Sequence, residues 1–244
     1  MEFSAFFAQC KEIFARQDGL PIPTEEQADK LFRLTEIMLE TNRHMNLTAI
    51  TDESAVILKH YADSLTVSTR IPNGASVIDI GCGAGFPTLP LAIFRPDLRV
   101  TAVDSTAKRV EYVRRTAESL SLVNVTAIAA RAEELAKKDE YRERFDFVTA
   151  RAVASLPMLA ELCLPFVRVG GAMIAMKASR AEEEREAAKN AIVLCGGDLP
   201  MCSPVALVSE DGTSEPRVLI EIAKKRATPA KYPRHFSQIS KKPL

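Results

Sequence analysis

The amino-acid sequence predicts an α/β fold in which a mostly parallel, seven-stranded sheet follows a helical cap and ends in an antiparallel hairpin. From Ser76 onward, short β-branched runs alternate with longer helical patterns, which is typical of a parallel sheet with helices on both faces. Two late runs, PVALVS and RVLIEIA, flank the turn sequence EDGTSEP and predict the hairpin. We therefore predict an N-terminal helical cap over 1–70, a core over 71–227 and a basic tail over 228–244.

Local signals justify the helices of the cap. Thr24 begins a capping-box pattern with Gln27, and Thr51 or Asp52 can cap another helix that continues through Leu65. A polar loop, NRHMNLTAIT, lies between these helices. After Thr24, apolar residues recur at helical spacing, namely Ala28, Leu31, Leu34 and Met38.

The core elements then follow in order along the chain. The strands SVIDI, RVTAVD, VTAIAA, FDFVTA and AMIAMK precede the two strands of the hairpin. Helical patterns follow the first strand as far as Phe94 and the second from Lys108 to Leu120. The charge-rich run AEEEREAAKN predicts a further helix with a solvated face.

Composition excludes several classes of protein. Five cysteines form no C-x-x-C pair and three histidines lie far apart, which argues against a disulfide framework and against a metal site. Charges interrupt every apolar stretch before about 18 residues, so we expect no transmembrane helix. The pattern of the N-terminal segment predicts an amphipathic helix and not a signal peptide. A reducing cytoplasm fits best.

The strongest local signal is the run VIDIGCGAGF, in which a buried strand carrying Asp79 leads into a glycine loop. Glycines at Gly81, Gly83 and Gly85 permit a tight turn and let a ligand approach the backbone. A dinucleotide site favours G-x-G-x-x-G, but the third position of that pattern is Phe86. The spacing G-x-G-x-G is the pattern of S-adenosylmethionine enzymes, and we take S-adenosylmethionine as the predicted cofactor.

The ends of the next strands supply further candidate ligands of the cofactor. Asp104 ends the second strand, where a carboxylate can accept both ribose hydroxyls; a helix N-cap is the alternative role. Ala132 and Glu133 follow the third strand and would lie beside the adenine, although Glu133 also suits a helix start. Arg151 ends the fourth strand. We expect it to point into the cofactor crevice, with a structural salt bridge as the alternative.

The fourth strand is also informative for the motifs that its sequence lacks. It carries no Asn/Asp-Pro-Pro-aromatic run of amino-methyltransferases, and the chain has no Pro-Cys nucleophile of pyrimidine-carbon methyltransferases. A site with neither a general base nor a nucleophile suits a target that is already nucleophilic, such as N7 of guanine. Catalysis would then depend on proximity and orientation, with no catalytic side chain beyond Arg151 as a candidate.

The basic tail predicts a contact with a polyanion. Pro229 and Pro233 favour an extended path, and Tyr232 and Phe236 could stack on unpaired bases. The competing possibility is that the tail packs back on the sheet and buries these rings. The cations that we expect to contact RNA phosphates are Lys224, Lys225, Arg226, Lys231 and Arg234.

Taken with these signals, the sequence resembles the glucose-inhibited division protein B family, the bacterial 16S ribosomal RNA guanine-N7 methyltransferases also called RsmG. The resemblance covers residues 25–244 and rests on NLT, KHYADSL, IDIGCGAGFP, Lys108-Arg109, Arg131-Ala132-Glu133, Ala150-Arg151-Ala152 and TPAKYPR. It departs from the family pattern at Thr88 and in the tail stretch SQISKKP.

The resemblance implies a Rossmann-like class I methyltransferase that binds S-adenosylmethionine at Gly81, Phe86, Ala132-Glu133 and Arg151. It implies 7-methylguanosine in the decoding region of 16S ribosomal RNA as the product. The partner would be 16S RNA, the 30S subunit or an assembly intermediate, and we expect a monomer. His60, Asp63 and Ser64 share one helical stretch, for which a hydrogen-bonded cluster between cap and core is favoured over direct catalysis.

The sequence leaves three other classes of protein open. A noncatalytic ribosome-associated module could retain the cofactor fold. The presence of the three loop glycines, Asp104 and Glu133 argues against a loss of cofactor binding. An NAD-dependent oxidoreductase is disfavoured by Phe86 and by the hairpin. A small-molecule methyltransferase is disfavoured by the basic tail.

Overall fold

The computed structural model describes residues 2–177 and 181–244. Its cap contains two long helices and a third, shorter helical stretch. Thr24 and Gln27 form the predicted capping box at the start of α2, and Asp52 caps the third stretch by accepting from the Ala55 amide. The elements of the cap are α1 (Phe3–Ala15), α2 (Glu25–Met45), α3 (Glu53–Val56), a π-helical turn (Ile57–Ala62), α4 (Asp63–Leu65) and a 3-10 turn (Ser68–Arg70).

The core alternates strands and helices as the sequence predicts. Its strands are β1 (Ser76–Ile80), β2 (Arg99–Asp104), β3 (Val125–Ala129), β4 (Phe145–Arg151), β5 (Val167–Lys177), β6 (Met201–Val208) and β7 (Ser214–Ala223). Its helices are α5 (Thr88–Phe94), α6 (Ala107–Ser119), α7 (Ala132–Leu135), α8 (Leu156–Cys163), a 3-10 turn (Leu164–Phe166), α9 (Ala181–Leu194) and α10 (Phe236–Lys241).

The strand order is β3-β2-β1-β4-β5-β7-β6, which confirms the predicted seven-stranded sheet. Strands β1 to β5 pair in parallel, whereas β7 is antiparallel to both β5 and β6. The carboxyl ends of β1 to β4 therefore meet at one edge of the sheet, which we call the carboxyl edge. Because β7 runs the opposite way, Ala223 pairs with Ala172 in the middle of β5 and Val218 pairs with Lys177 at its end.

Two apolar layers cover the faces of the sheet. The cap, α5 and α6 pack on one face, where Phe14 of α1 stacks on Phe94 of α5 with ring centroids 5.7 Å apart. Helices α7, α8 and α9 and the tail pack on the other face, where Tyr232 and Ile239 are buried. The cap is thus held against the same sheet that carries the candidate site.

The tail differs from the predicted extended path, because α10 forms within it. Both prolines precede this helix, and the His235 side chain accepts a hydrogen bond from the Ser237 amide at its N-cap. Prolines upstream of a cap do not remove a hydrogen bond from the helix that follows. Among the described residues, no helix combines the length and apolar character needed to cross a membrane.

Candidate active site

The glycine loop joins β1 to α5 in a conformation that side chains would obstruct. Gly81 and Gly85 have φ angles of +76° and +88°. A Cβ atom on Gly81 would lie 2.5 Å from Val153 Cγ2, and one on Gly85 would lie 2.5 Å from Leu89 Cδ1. The loop therefore requires glycine for its backbone conformation and for its packing.

A cleft of about 380 Å³ opens beside this loop, at the carboxyl edge. Four of the residues predicted to bind the cofactor line it, namely Gly81, Asp104, Ala132 and Glu133. Its other lining residues are Ile80, Val103, Ser105, Thr106, Arg109, Ala130, Arg131, Ala152, Val153, Ala154, Met158, Leu162 and Phe236. Open α/β sheets bind ligands at this edge, where the strand order reverses.

Asp104 connects the cleft with the glycine loop. Its side chain is buried, and its two carboxylate oxygens accept from the Gly83 amide at 3.1 Å and from the Thr106 amide at 2.8 Å. Each carboxylate oxygen can accept a second hydrogen bond, so ribose hydroxyls could still bind. Asp104 therefore holds the loop in place in addition to facing the cleft.

Glu133, which also lines the cleft, has an unsatisfied carboxylate oxygen. Its side chain is buried, and its Oε1 atom makes no hydrogen bond. The nearest cation is Arg131, whose Nη1 atom lies 3.9 Å from Oε1. A buried acceptor without a donor costs roughly 1–3 kcal/mol, which indicates that a ligand supplies the donor. The amino group of an adenine is such a donor.

Asp79 lies behind the loop and does not line the cleft. Its carboxylate accepts from the Thr88 hydroxyl at 2.7 Å and from the Thr149 hydroxyl at 3.1 Å. Burial raises the pKa of Asp79 to about 6, although both hydrogen bonds and the charge of Arg151 lower it. Thr88, a departure from the family pattern in the sequence, is thus a hydrogen-bond partner of Asp79.

Arg151 does not line the cofactor cleft but lines the cavity that adjoins it, and its role in cofactor binding stays a prediction. Its Nη1 atom donates to Asp63 Oδ2 at 2.9 Å and to the Lys59 carbonyl at 2.9 Å. An acid of the cap attracts the guanidinium across the interface between cap and sheet, and the salt-bridge alternative holds. Arg151 fastens the π-helical turn of the cap to the end of β4.

Phe86 is buried between the glycine loop and the cap and likewise does not line the cleft. Its ring stacks on the His60 ring with centroids 4.4 Å apart, and the Arg151 guanidinium lies 5.4 Å from its centroid. The three side chains form one contact between cap and core. The predicted cluster of His60 and Asp63 is therefore found, whereas the Ser64 hydroxyl is buried without a hydrogen-bond partner.

His60 is held as a neutral imidazole. Its Nδ1 atom lies 3.5 Å from Arg151 Nη2, and its Nε2 atom lies 2.9 Å from Thr48 Oγ1. Because a guanidinium only donates, Nδ1 accepts and Nε2 carries the proton. Burial and the charge of Arg151 lower the pKa of His60 to about 4.

A second cavity of about 530 Å³ lies between the cap and the sheet and meets the first at Ala152. Its polar side chains come from the cap, β4, β5, α9 and β7. The sequence did not predict Lys177, Glu184 or Arg217 as site residues, because no motif marks the end of β5, the first turn of α9 or the first half of β7. The charged residues that line it are Lys59, Asp63, Arg151, Lys177, Glu184 and Arg217, with His60 among its other residues.

The structure overturns part of the predicted RNA surface. Lys224 is 1% exposed, and its ammonium donates to the Leu164 carbonyl at 2.6 Å and lies 3.2 Å from Glu143 Oε1. Lys224 is thus enclosed in the interior and is not available to a phosphate, so its assignment as an RNA-binding residue is wrong. Arg234 is engaged as well, because its guanidinium binds the buried carboxylate of Glu161.

The other three cations that were predicted to contact RNA are exposed, but they lie in different parts of the molecule. Lys225 and Arg226 come one and two residues after Lys224, which follows β7, so they lie at the edge of the sheet opposite the cofactor cleft. Lys231 is also exposed and lies over the Tyr232 ring at 5.1 Å. Tyr232 itself is buried, so its predicted stacking on RNA bases is wrong, and Phe236 lines the cofactor cleft.

The reversed β7 strand, the G-x-G-x-G loop and the acid at the end of β2 define a Rossmann-like, S-adenosylmethionine-dependent methyltransferase. Solved structures share this fold. One is an S-adenosylmethionine-dependent O-methyltransferase from Thermotoga maritima, with a TM-score of 0.53 and 13% identity over 85% of this chain and 74% of that one. Another is precorrin-6y C5,15-methyltransferase from Geobacter metallireducens, with a TM-score of 0.50 and 18% identity over 74% of this chain and 92% of that one.

The chain belongs to the rRNA small subunit methyltransferase G family, GidB, whose model matches residues 27–206. This confirms the resemblance seen in the sequence. A ribosomal RNA small subunit methyltransferase G from Lactobacillus delbrueckii subsp. bulgaricus is 43% identical over 91% of this chain and 92% of its own. That of Deinococcus radiodurans is 43% identical over 93% of this chain and 89% of its own. The cofactor is S-adenosylmethionine, and the unsatisfied Glu133 oxygen and the open face of the glycine loop fit it.

Proposed function

We propose that the chain transfers a methyl group from S-adenosylmethionine to N7 of a guanine in the decoding region of 16S ribosomal RNA, in the bacterial cytoplasm. Family membership and the names of the relatives support ribosomal RNA of the small subunit as the substrate. The resemblance supports N7 and the decoding region. Transfer is direct and in line, without a covalent intermediate.

The observation that carries the choice of N7 is the chemistry of the site. None of the described residues that line the two cavities is a cysteine. One of these residues is a histidine, His60. That imidazole is fixed between Arg151 and Thr48. Guanine N7 has a lone pair and no proton, so its attack requires no base. Burial also raises the pKa of four thiols, those of Cys10, Cys82, Cys163 and Cys195.

Three carboxylates serve the cofactor, which when bound supplies a methyl group activated by a sulfonium. Asp104 accepts from the ribose hydroxyls with the lone pairs that the Gly83 and Thr106 amides leave free. Glu133 accepts from the adenine amino group through Oε1. Asp79 contributes negative charge behind the glycine loop, which favours a cationic ligand.

We place the target base in the second cavity, beside Ala152. Guanine presents N1–H and amino donors next to its O6 acceptor, a pattern that a carboxylate beside a cation complements. Asp63 lies beside Arg151 at 2.9 Å, and Glu184 lies beside Lys177 at 2.7 Å. Arg151 therefore orients the base and does not exchange protons with it. In a noncatalytic module, the pair of Asp63 and Arg151 would still hold the cap against the core, so the methylation assay decides between the two functions.

Methylation of 16S RNA from a strain that lacks this protein tests the proposal. We expect 7-methylguanosine after digestion and mass spectrometry, and we expect the Asp104→Ala variant to yield much less. Parallel reactions on naked 16S RNA, 30S subunits and assembly intermediates identify the substrate form. A product of 5-methylcytosine or N2-methylguanine would contradict the proposed target atom. Single-turnover rates that are flat between about pH 6.5 and 9 would support transfer without a titrating base.

A further inference from the structure

The C-terminal helix α10 forms one wall of the cofactor cleft. Phe236, its first residue, lines the cleft and is 37% exposed. The Arg131 guanidinium lies 6.0 Å from the centroid of its ring. Since Arg131 directly precedes Ala132 and Glu133, the ring stands at the end of the cleft where the unsatisfied Glu133 oxygen lies.

The segment that presents Phe236 is fixed to the body of the protein. Arg234 binds Glu161 through its backbone amide at 2.8 Å and through its guanidinium Nε at 2.8 Å, and Glu161 is fully buried. Three residues after Phe236, Ile239 is buried in the apolar layer of α8. The ring is therefore held at the cleft from both sides along the chain.

A single guanidinium ties this segment to the helix that carries Glu133. Arg142 donates to the Tyr232 carbonyl at 3.0 Å and to the Thr228 carbonyl at 2.8 Å. It also donates to the Ala136 carbonyl, just after α7, at 3.2 Å. The Arg142 side chain therefore fixes both the segment that carries Phe236 and the helix that carries Glu133.

We propose that Phe236 is a cofactor-binding residue whose ring packs against the adenine of S-adenosylmethionine, so that the C-terminal segment is part of the cofactor site. A purine has an apolar π face, and an aromatic side chain at the same end as its hydrogen-bond partner supplies the complementary surface. The glycine loop and Asp104 contact the other parts of the ligand. The segment thus contributes to binding although it lies far along the chain from the glycine motif.

Binding measurements without RNA test this proposal separately from the proposed function. Calorimetric titration with S-adenosylmethionine should give a Kd for Phe236→Ala that is roughly 5- to 150-fold weaker than that of the native chain, the range of ring–base stacking. Phe236→Tyr keeps the ring and should stay near the native Kd. Gln238→Ala changes an exposed residue of the same helix that does not line the cleft, and it should leave the Kd unchanged.

A fluorescence readout covers the case in which Phe236→Ala folds poorly. The chain contains no tryptophan, so Phe236→Trp introduces a single reporter. Its emission should change saturably with S-adenosylhomocysteine, whereas that of Gln238→Trp should not. An unchanged Kd for a folded Phe236→Ala, or a silent Phe236→Trp in a protein that binds the ligand, would overturn the proposal. The proposed function fails separately: a native chain that binds S-adenosylmethionine but forms no 7-methylguanosine would contradict the proposed target and leave the role of Phe236 in place.

Discussion

At the scale of single residues, the carboxylates of the site have structural roles that the sequence does not reveal. Asp104 was expected either to bind ribose or to cap a helix. The structure gives it a third role, because it binds the Gly83 amide and so fixes the glycine loop. Its loss removes ligand contacts and loosens the loop that surrounds the ligand.

We predict that Asp104→Ala weakens S-adenosylmethionine binding by roughly tenfold or more while the chain stays folded. Each charge-assisted hydrogen bond to ribose contributes about 1.5–3 kcal/mol before water replaces it. Calorimetric titration gives the affinity, and circular dichroism checks the fold. Asp139→Ala removes an exposed acid away from the cleft and serves as the matched control. Equal affinities for the two variants would remove Asp104 from the binding site.

Asp79 and His60 affect stability in opposite directions with pH. The pKa of Asp79 is raised from 3.8 to about 6, so its contribution to stability falls as the pH rises through that window. The pKa of His60 is lowered from 6.5 to about 4, so its contribution is present above 6.5 and is lost as the pH falls toward 4. The two windows overlap between about pH 4 and 6, and there the two effects largely cancel.

We predict that Asp79→Asn stabilises the protein at pH 7. We also expect it to reveal how the free energy of unfolding depends on the titration of His60. The amide removes a buried charge that costs about 3 kcal/mol at neutral pH, and both threonine hydroxyls can reorient to bind it. Urea unfolding in steps of pH should show stability that rises between about pH 4 and 6.5 in the variant but is nearly flat in the native chain. Parallel profiles for the two proteins would show that Asp79 is ionised normally.

At the scale of elements, the π-helical turn over Ile57–Ala62 sets the contact between cap and core. The sequence predicts a helix from Asp52 through Leu65, and the structure has helical backbone over that stretch. The wider turn lets both Lys59 and Asp63 bind Arg151, which lies far away in sequence. Local periodicity carries no signal for this turn, because its partners come from β4 and from the glycine loop.

The tail is the second element whose role the structure changes. It buries Tyr232 and Ile239, supplies Phe236 to the cleft and covers the ammonium of Lys224. The Thr228 hydroxyl accepts from that ammonium and donates to the Cys195 carbonyl at 2.7 Å. The tail therefore closes the core, as the competing possibility held.

We predict that removal of residues 228–244 lowers the melting temperature and weakens cofactor binding. Removal exposes apolar surface and deprives Lys224 and Glu161 of buried partners, which typically costs several kcal/mol. Differential scanning calorimetry with and without S-adenosylmethionine measures both effects. Substituting Lys241 and Lys242 with alanine removes tail charge and leaves the buried contacts in place, so it should change neither. A truncated chain with native stability would restore the view of the tail as a separate RNA-binding segment.

At the scale of the whole molecule, local signals predict the scaffold but not the contacts between its parts. The alternation of strands and helices, the hairpin and the acid at the end of β2 follow from periodicity and from short motifs, and the structure contains them. The pairing of Arg151 with Asp63 spans 88 residues of sequence. The burial of Lys224 and the placement of Phe236 likewise depend on how the tail returns to the sheet. Such contacts are decided by packing, which a single sequence does not display.

The last prediction concerns where RNA phosphates contact the molecule. A target base in the second cavity brings its flanking phosphates to the carboxyl edge, where Lys59 and Lys108 lie. Lys225 and Arg226 lie at the opposite edge, so they can contribute only if RNA wraps around the sheet.

We therefore expect the double variant of Lys59 and Lys108 to alanine to weaken RNA binding more than the matched double variant of Lys225 and Arg226. Each lost phosphate contact to single-stranded RNA lowers the slope of log affinity against log salt by about 0.7, so the first variant should lose roughly 1.4 and the second much less. Both sets lie outside the cofactor cleft, so S-adenosylmethionine affinity should stay at the native value. Each double variant removes one solvent-accessible ion pair, Lys59 with Glu215 or Lys225 with Asp198, so the melting temperature should change little. Salt titrations monitored by fluorescence anisotropy decide between the edges. A larger loss for Lys225 and Arg226 would mean that the RNA follows the tail around the molecule, as the charge pattern of the sequence alone suggests.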